Sequence, residues 1–272
     1  MILKKTLSII AVIILTVACN TNPFTGKPTL ALVPNSQILP MAFQQYDEFL
    51  SQNDVVTGTP EANMIKNIGQ KISIASERWL TTNGYAGYLK DYAWEYNLVN
   101  DDAVNAWCMP GGKIVFYTGI LPVAKNESGI AAIMGHEVAH ALANHGQQRM
   151  STGQLQTLGA AAGNLALAED PKNQEIFNQS YGIVSSVGVM LPFNRKHESE
   201  ADRIGLTLMA IAGYDPIAAA ELWVRMKESG GGAPLEFLST HPSNDTRINN
   251  ITAWAPGAKM EARKFGVTSF KK

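Results

Sequence analysis

His136 and His140 stand four residues apart in the run His136-Glu-Val-Ala-His140. On an α-helix that spacing places both imidazoles on one face, as two corners of a tetrahedral zinc site. Glu137, about 100° further round the helix, can reach a water on the metal and not the metal itself, which is where a general base belongs. The chemistry this pattern supports is hydrolysis. The flanking run Gly129–Gly135 and the residues Val138, Ala139, Ala141 and Leu142 are small or apolar, so the helix is expected to be buried. Buried imidazoles and a buried carboxylate are costly to desolvate unless something binds them, which sets a metal site above a surface helix with two incidental histidines.

A hydrolytic zinc site needs a third protein ligand. The metzincin pattern, H-E-x-x-H-x-x-G-x-x-H, is broken by Ala143 and Gly146, and His145 falls out of register as a polar residue near the helix end. Cys108 is available but lies in an extended, strand-like segment. The acidic cluster His197-Glu-Ser-Glu-Ala-Asp202 is the better source. Glu198 and Asp202 share a helix face, which suggests Glu198 as third ligand and Asp202 as acceptor for an imidazole N–H. Ile204, Leu206, Leu208 and Met209 continue that helix as an apolar surface, against a merely solvated charged face.

With these two motifs and a third, His241-Pro-Ser-Asn-Asp-Thr-Arg247, the chain resembles the CAAX-prenyl-protease-like zinc metallopeptidases (the HtpX and Oma type), nearest to their soluble bacterial lipoprotein branch. Asn22-Pro-Phe-Thr-Gly26 and Asn105-Ala-Trp-Cys-Met-Pro-Gly-Gly112 resemble further segments of that branch. The resemblance implies a zinc endopeptidase of the gluzincin type, one zinc ion per chain, and Glu198 as the third ligand. His241 and Arg247 are candidates to stabilise the oxyanion; Arg247 could equally grip a substrate carbonyl. His241 could also serve as a fourth ligand that shuts the site, or cap a turn. Asn105, Trp107 and Gly111 are candidate substrate contacts on a strand and turn that edge the cleft, where an extended peptide could add by backbone hydrogen bonds. Trp107 fits a core position as well.

The elements that must position these groups are mostly helical. The chain has 272 residues, 46% hydrophobic and 17% charged, with a net charge of −1. That composition suits a globular fold and gives no basic stripe for nucleic acid. Helices are expected over about 37–49, 60–79, 126–148, 195–212 and 215–229, with a last one from near Ser243. Strands are expected at Tyr92–Val99, Asn105–Met109 and Lys113–Tyr117, the last two joined through Pro110-Gly111-Gly112. Residues 151–191 have helical character but too many polar interruptions to cross a membrane, and Gly230–Gly232 is expected as a flexible loop. The fold class is α+β, mainly α-helical, with a small sheet.

Lys4, Lys5 and the apolar run Leu7–Val17 before Cys19 have the pattern of a lipoprotein signal peptide. The expected organisation is a signal peptide at 1–18, a lipid anchor on Cys19 with a polar tether at 19–35, and a peptidase domain at 36–272. This predicts a cell-envelope location, lipid-anchored and facing the periplasm, at the outer membrane more than the inner. The expected role is proteolysis of misfolded or unassembled envelope proteins. The alternative is a chaperone or assembly factor with a latent or structural zinc site.

Overall fold

The computed structural model describes residues 19–229, 236–242 and 244–272. The expected signal peptide and the Gly230–Gly232 loop lie outside the described residues. The chain divides into two compact units. Unit 1 is the described residues up to Ile38 with Asn144–Lys196, and unit 2 is Leu39–Ala143 with His197–Lys272.

Unit 2 is built on a four-stranded sheet in the order β3-β4-β6-β5, from β3 (Val55–Val56), β4 (Glu95–Val99), β5 (Ala106–Met109) and β6 (Lys113–Tyr117). β4 and β6 run parallel; the two outer pairings are antiparallel. The β5–β6 turn needs Gly111 and Gly112, both at φ 85, a conformation open to glycine and costly for other residues. Strand alternation sends Trp107, Met109, Val115 and Tyr117 to one face, where they pack with Tyr46 and Phe49 of helix α1 (Asn35–Gln52). Helix α2 (Pro60–Thr82) covers the other face, with Gly69 giving room to the Tyr96 ring. Thr59 caps α2 by accepting from the Ala62 amide, and Pro60 sits in its first turn.

After the short α3 (Leu121–Ala124) comes the central helix α4 (Glu127–Leu142). Its N-cap Asn126 accepts from the Gly129 amide at 2.9 Å, and every residue from Ser128 to Leu142 is buried. A helix apolar all round belongs in a core. It packs against α2, β5 and α8 (Ile217–Ser229). α4 ends sooner than the expected Gln148 because Asn144 adopts φ 55 and a new helix starts at His145. Asparagine tolerates that left-handed conformation better than most residues, and the polar residues beyond it kept the helical pattern going in the sequence. Unit 2 also holds most of α7 (Leu191–Ile211), the short α9 (Glu236–Thr240) and α10 (Asp245–Lys264), capped by Asn244.

Unit 1 contains β1 (Cys19–Thr21) paired antiparallel with β2 (Pro28–Leu30), the long helix α5 (His145–Ala166), α6 (Pro171–Ile183) and a π-helical stretch, Val184–Met190. Residues 19–35, expected as a tether, thus carry a strand pair. Among the described residues no helix is long and apolar enough to cross a membrane.

Candidate metal centre

α4 and α7 cross where neither has a side chain. A Cβ on Gly135 would lie 2.8 Å from the Gly205 carbonyl oxygen, and one on Gly205 would lie 2.9 Å from the His136 amide nitrogen. Main chain therefore touches main chain next to His136, and α7 can bring Glu198 and Asp202 up to the histidines of α4. One candidate donor atom from each of His136, His140, Glu198 and His241 lies within 4.8 Å of the others. The two Nε2 atoms are 3.1 Å apart, and Glu198 Oε2 and Oε1 stand 3.3 Å and 3.2 Å from them. Ligands on a tetrahedral ion with bonds of about 2.1 Å are separated by about 3.4 Å, so these donors are spaced as the corners of a zinc site. The donor set, imidazoles and one carboxylate, also suits zinc.

His136 has its other nitrogen occupied. Nδ1 donates to Asp202 Oδ1 at 2.9 Å, which fixes the tautomer and aims the Nε2 lone pair into the group. Asp202 is held in turn by Arg247, whose Nε and Nη2 donate to its two oxygens at 2.7 Å each. Arg247 also donates to the Pro242 carbonyl and lies with Cζ 3.4 Å from the centre of the Trp223 ring. Its Nη2 lies 3.4 Å from Glu198 Oε2 as well, so the guanidinium expected to meet an oxyanion or a carbonyl is engaged with both carboxylates of α7.

Burial works against the imidazolium of His136, but the hydrogen-bonding carboxylates of Asp202 and Glu198 overcome it and hold its pKa up to about 9. For Glu198, burial opposes ionisation, yet hydrogen bonds from His136, His140 and His241 keep it far below the usual carboxylate range. Burial likewise opposes ionisation of Asp202, and the Arg247 charge, with help from His136, prevails. Buried anions thus collect positive charge here, and a metal ion would replace protons in that role.

His241 sits inside the group. Its Nδ1 lies 2.8 Å from Glu198 Oε2 and 3.1 Å from His136 Nε2, and its Nε2 lies 3.4 Å from Glu137 Oε1. A stack of rings keeps it there: His241 packs on Phe237 at 4.6 Å, and Phe237 on Trp223 at 5.7 Å. The expected substrate contacts have partners of their own. Asn105 Nδ2 donates to Glu236 Oε1 at 3.0 Å, and the Phe237 amide donates to the Val104 carbonyl, so the residues ahead of β5 fasten α9. Trp107 is half-buried against the core, meeting Phe49 edge-on at 5.0 Å and Tyr46 at 6.0 Å. Gly111 serves the turn, against Phe43 and Leu39. Alternation turns Cys108 to the opposite face from Trp107, and burial, then the Glu137 carboxylate, push its thiol pKa up. His145 is the buried first residue of α5 in unit 1, and Cys19 opens β1 in the same unit. Trp223 and Phe237 had no signal in the sequence, since neither belongs to a spaced motif. Gly135 and Gly205, each beside a motif, could have been found as glycines in otherwise apolar helices.

Relatives of this chain carry a common activity in their names. It is 39% identical over 177 residues, 64% of this chain and 50% of the relative, to the mitochondrial metalloendopeptidase OMA1 of Schizosaccharomyces pombe. It is 33% identical over 208 residues, 73% of this chain and 57% of the relative, to the protein of that name in Saccharomyces cerevisiae. To the beta-barrel assembly-enhancing protease of Escherichia coli it is 28% identical over 156 residues, 56% of this chain and 32% of the relative. The chain spans only about a third to a little over half the length of these relatives. They also correct the expected location. A lipid-anchored, periplasm-facing position in a bacterial envelope does not stand beside relatives that are mitochondrial in yeasts, a plant and mammals. That expectation rested on a basic, apolar and small-residue pattern before Cys19, which is a compositional signal without a fold behind it. Residues 80–255, holding both helices that cross at Gly135 and Gly205, match Peptidase family M48, and the chain belongs to that family.

Proposed function

We propose that this chain is a zinc-dependent endopeptidase acting on extended segments of unfolded or unassembled proteins. The observation that carries the reading is the grouping of His136, His140, Glu198 and His241 with Glu137 at its rim. His136, His140 and Glu198 would hold the ion. Zinc, when bound, supplies a Lewis acid that polarises the scissile carbonyl and makes water acidic enough to deprotonate near neutral pH. Glu137 takes the proton of the attacking water and returns one to the leaving amine. Asp202 holds His136 in its tautomer, and Arg247 holds Asp202. β5 is an outer strand of its sheet among the described residues, and the outer edge of a sheet suits an extended peptide with little demand on side chains. The test is cleavage of casein by the purified chain, with zinc determined on the same sample. Cleavage that Glu137→Gln lowers by roughly 10²–10⁴-fold with zinc retained is expected; full zinc without cleavage in the parent overturns the reading.

The position of His241 favours a second element, a resting form closed by a fourth protein ligand where water would otherwise enter. His241→Ala is then more active on casein than the parent, and equal or lower activity counts against closure. A chaperone or assembly factor with a structural zinc site predicts instead that Glu137→Gln keeps its biological function.

A further inference from the structure

Beyond its first two turns, α5 has its polarity reversed. Leu155, Leu158, Ala161, Ala162, Leu165 and Ala166 recur at helical spacing and are exposed, the three leucines by 45%, 64% and 79%. Gln154 and Thr157 are exposed beside them, while Asn164, further along, turns to the neighbouring helix. Asn164 and Asn178 exchange amide hydrogen bonds of 2.8 and 2.9 Å, and Gln174 Nε2 donates to the Asn164 carbonyl. Tyr181 Oη donates to the Gln156 carbonyl, and its ring and that of Phe177 occupy the space that Gly159 and Gly163 leave. A helix at a water surface shows the opposite arrangement, with apolar residues inward. Neither Ser151–Ala168 nor Ile176–Phe193 contains a charged residue; Glu169, Asp170, Lys172 and Glu175 gather at the turn between the helices.

We propose that the outward stripe of α5 docks on a lipid bilayer surface. Polar groups satisfied between helices, with small residues at the contact and leucines outside, suit an apolar surrounding. The stripe has no charged rim and no aromatic or arginine anchor of the kind that marks protein interfaces, so a bilayer fits it better than a second copy or another protein. The chain ahead of the described residues points the same way. It carries the uncharged run Leu7–Val17 and enters unit 1 at β1. The β1–β2 pair and the segment that follows are fastened to α5, with the Leu32 amide donating to Ser151 Oγ at 3.0 Å and Gln147 Nε2 to the Val33 carbonyl at 2.7 Å. An apolar run in the sequence leading into the unit that carries the stripe adds a second signal of the kind that holds a protein at a membrane. The stripe is about 18 Å long at 1.5 Å per residue, and the helix lies on the surface without spanning it.

The test uses the purified full chain with vesicles of neutral phosphatidylcholine. Flotation of the parent is compared with that of Leu158→Gln/Leu165→Gln, and backbone hydrogen exchange is followed with and without vesicles. The double variant is expected to partition about tenfold more weakly, with little effect of salt. In the parent, vesicles slow exchange over 155–166 and leave α8 unchanged. Equal partition of parent and variant, or unchanged exchange over 155–166 with vesicles bound, overturns the proposal. So does a concentration-dependent dimer that protects this stripe in the absence of lipid. Circular dichroism checks the variant's fold, and the exchange pattern of the parent decides if the variant is unfolded.

Discussion

α4 and α5 follow each other in the chain, both rich in alanine and glycine and both poor in charge, yet they treat their polar residues in opposite ways. α4 is buried all round, and its polar side chains, His136, Glu137 and His140, are turned together into one site. α5 beyond its first turns is largely exposed, with Asn164 hydrogen-bonded to the adjacent helix and the leucines left outside. The comparison teaches that composition does not say where a helix belongs. In each case the partners of the polar groups say it: for α4 a carboxylate and imidazole cluster that collects positive charge, for α5 a neighbouring helix that takes the Asn164 amide.

The contrast is broken most sharply by stability. Ile133→Ala in α4 opens a cavity in a packed core and should cost about 2–5 kcal/mol in denaturant unfolding. A cost under about 1 kcal/mol would mean that α4 is less buried than described. The site itself is probed by Asp202→Asn, which keeps the shape but weakens the hold on His136. Zinc affinity in a competition titration should fall roughly 10–100-fold, and unchanged affinity would remove Asp202 from the centre. The smallest effect belongs to α5. Leu158→Gln, with 64% of the residue already in water, should change unfolding stability by no more than about 0.5 kcal/mol in the absence of lipid; a loss of core size would show that the leucine is covered.

Much of the centre was legible because its chemistry repeats at helical spacing. His136 and His140 share a face by their separation alone, and Glu198 and Asp202 do the same further on; the structure brings the two faces together. Local caps and turns were legible for similar reasons, with Pro60 opening α2 and Gly111 and Gly112 turning β5 into β6. What could not be read depends on contacts distant in sequence. Nothing near Arg247 announces that Asp202 takes its fork or that Trp223 lies beneath it, and nothing near Trp107 decides between a cleft and the ring of Phe49. The end of α4 was missed for a different reason: one residue, Asn144, breaks a pattern that its neighbours continue.

The bare crossing at Gly135 and Gly205 has a consequence for metal choice. Where helices meet through side chains, a substitution or a rotamer change can shift their spacing by fractions of an ångström. Here main-chain atoms touch, and nothing at the crossing can be trimmed or rotated. The spacing of the two backbones that carry the histidines and the carboxylate is therefore set there by atomic radii. An ion demanding longer bonds, such as calcium at about 2.3–2.6 Å with six or more oxygens, would find no relief in the helix spacing and few oxygens among the donors, so the centre disfavours such ions.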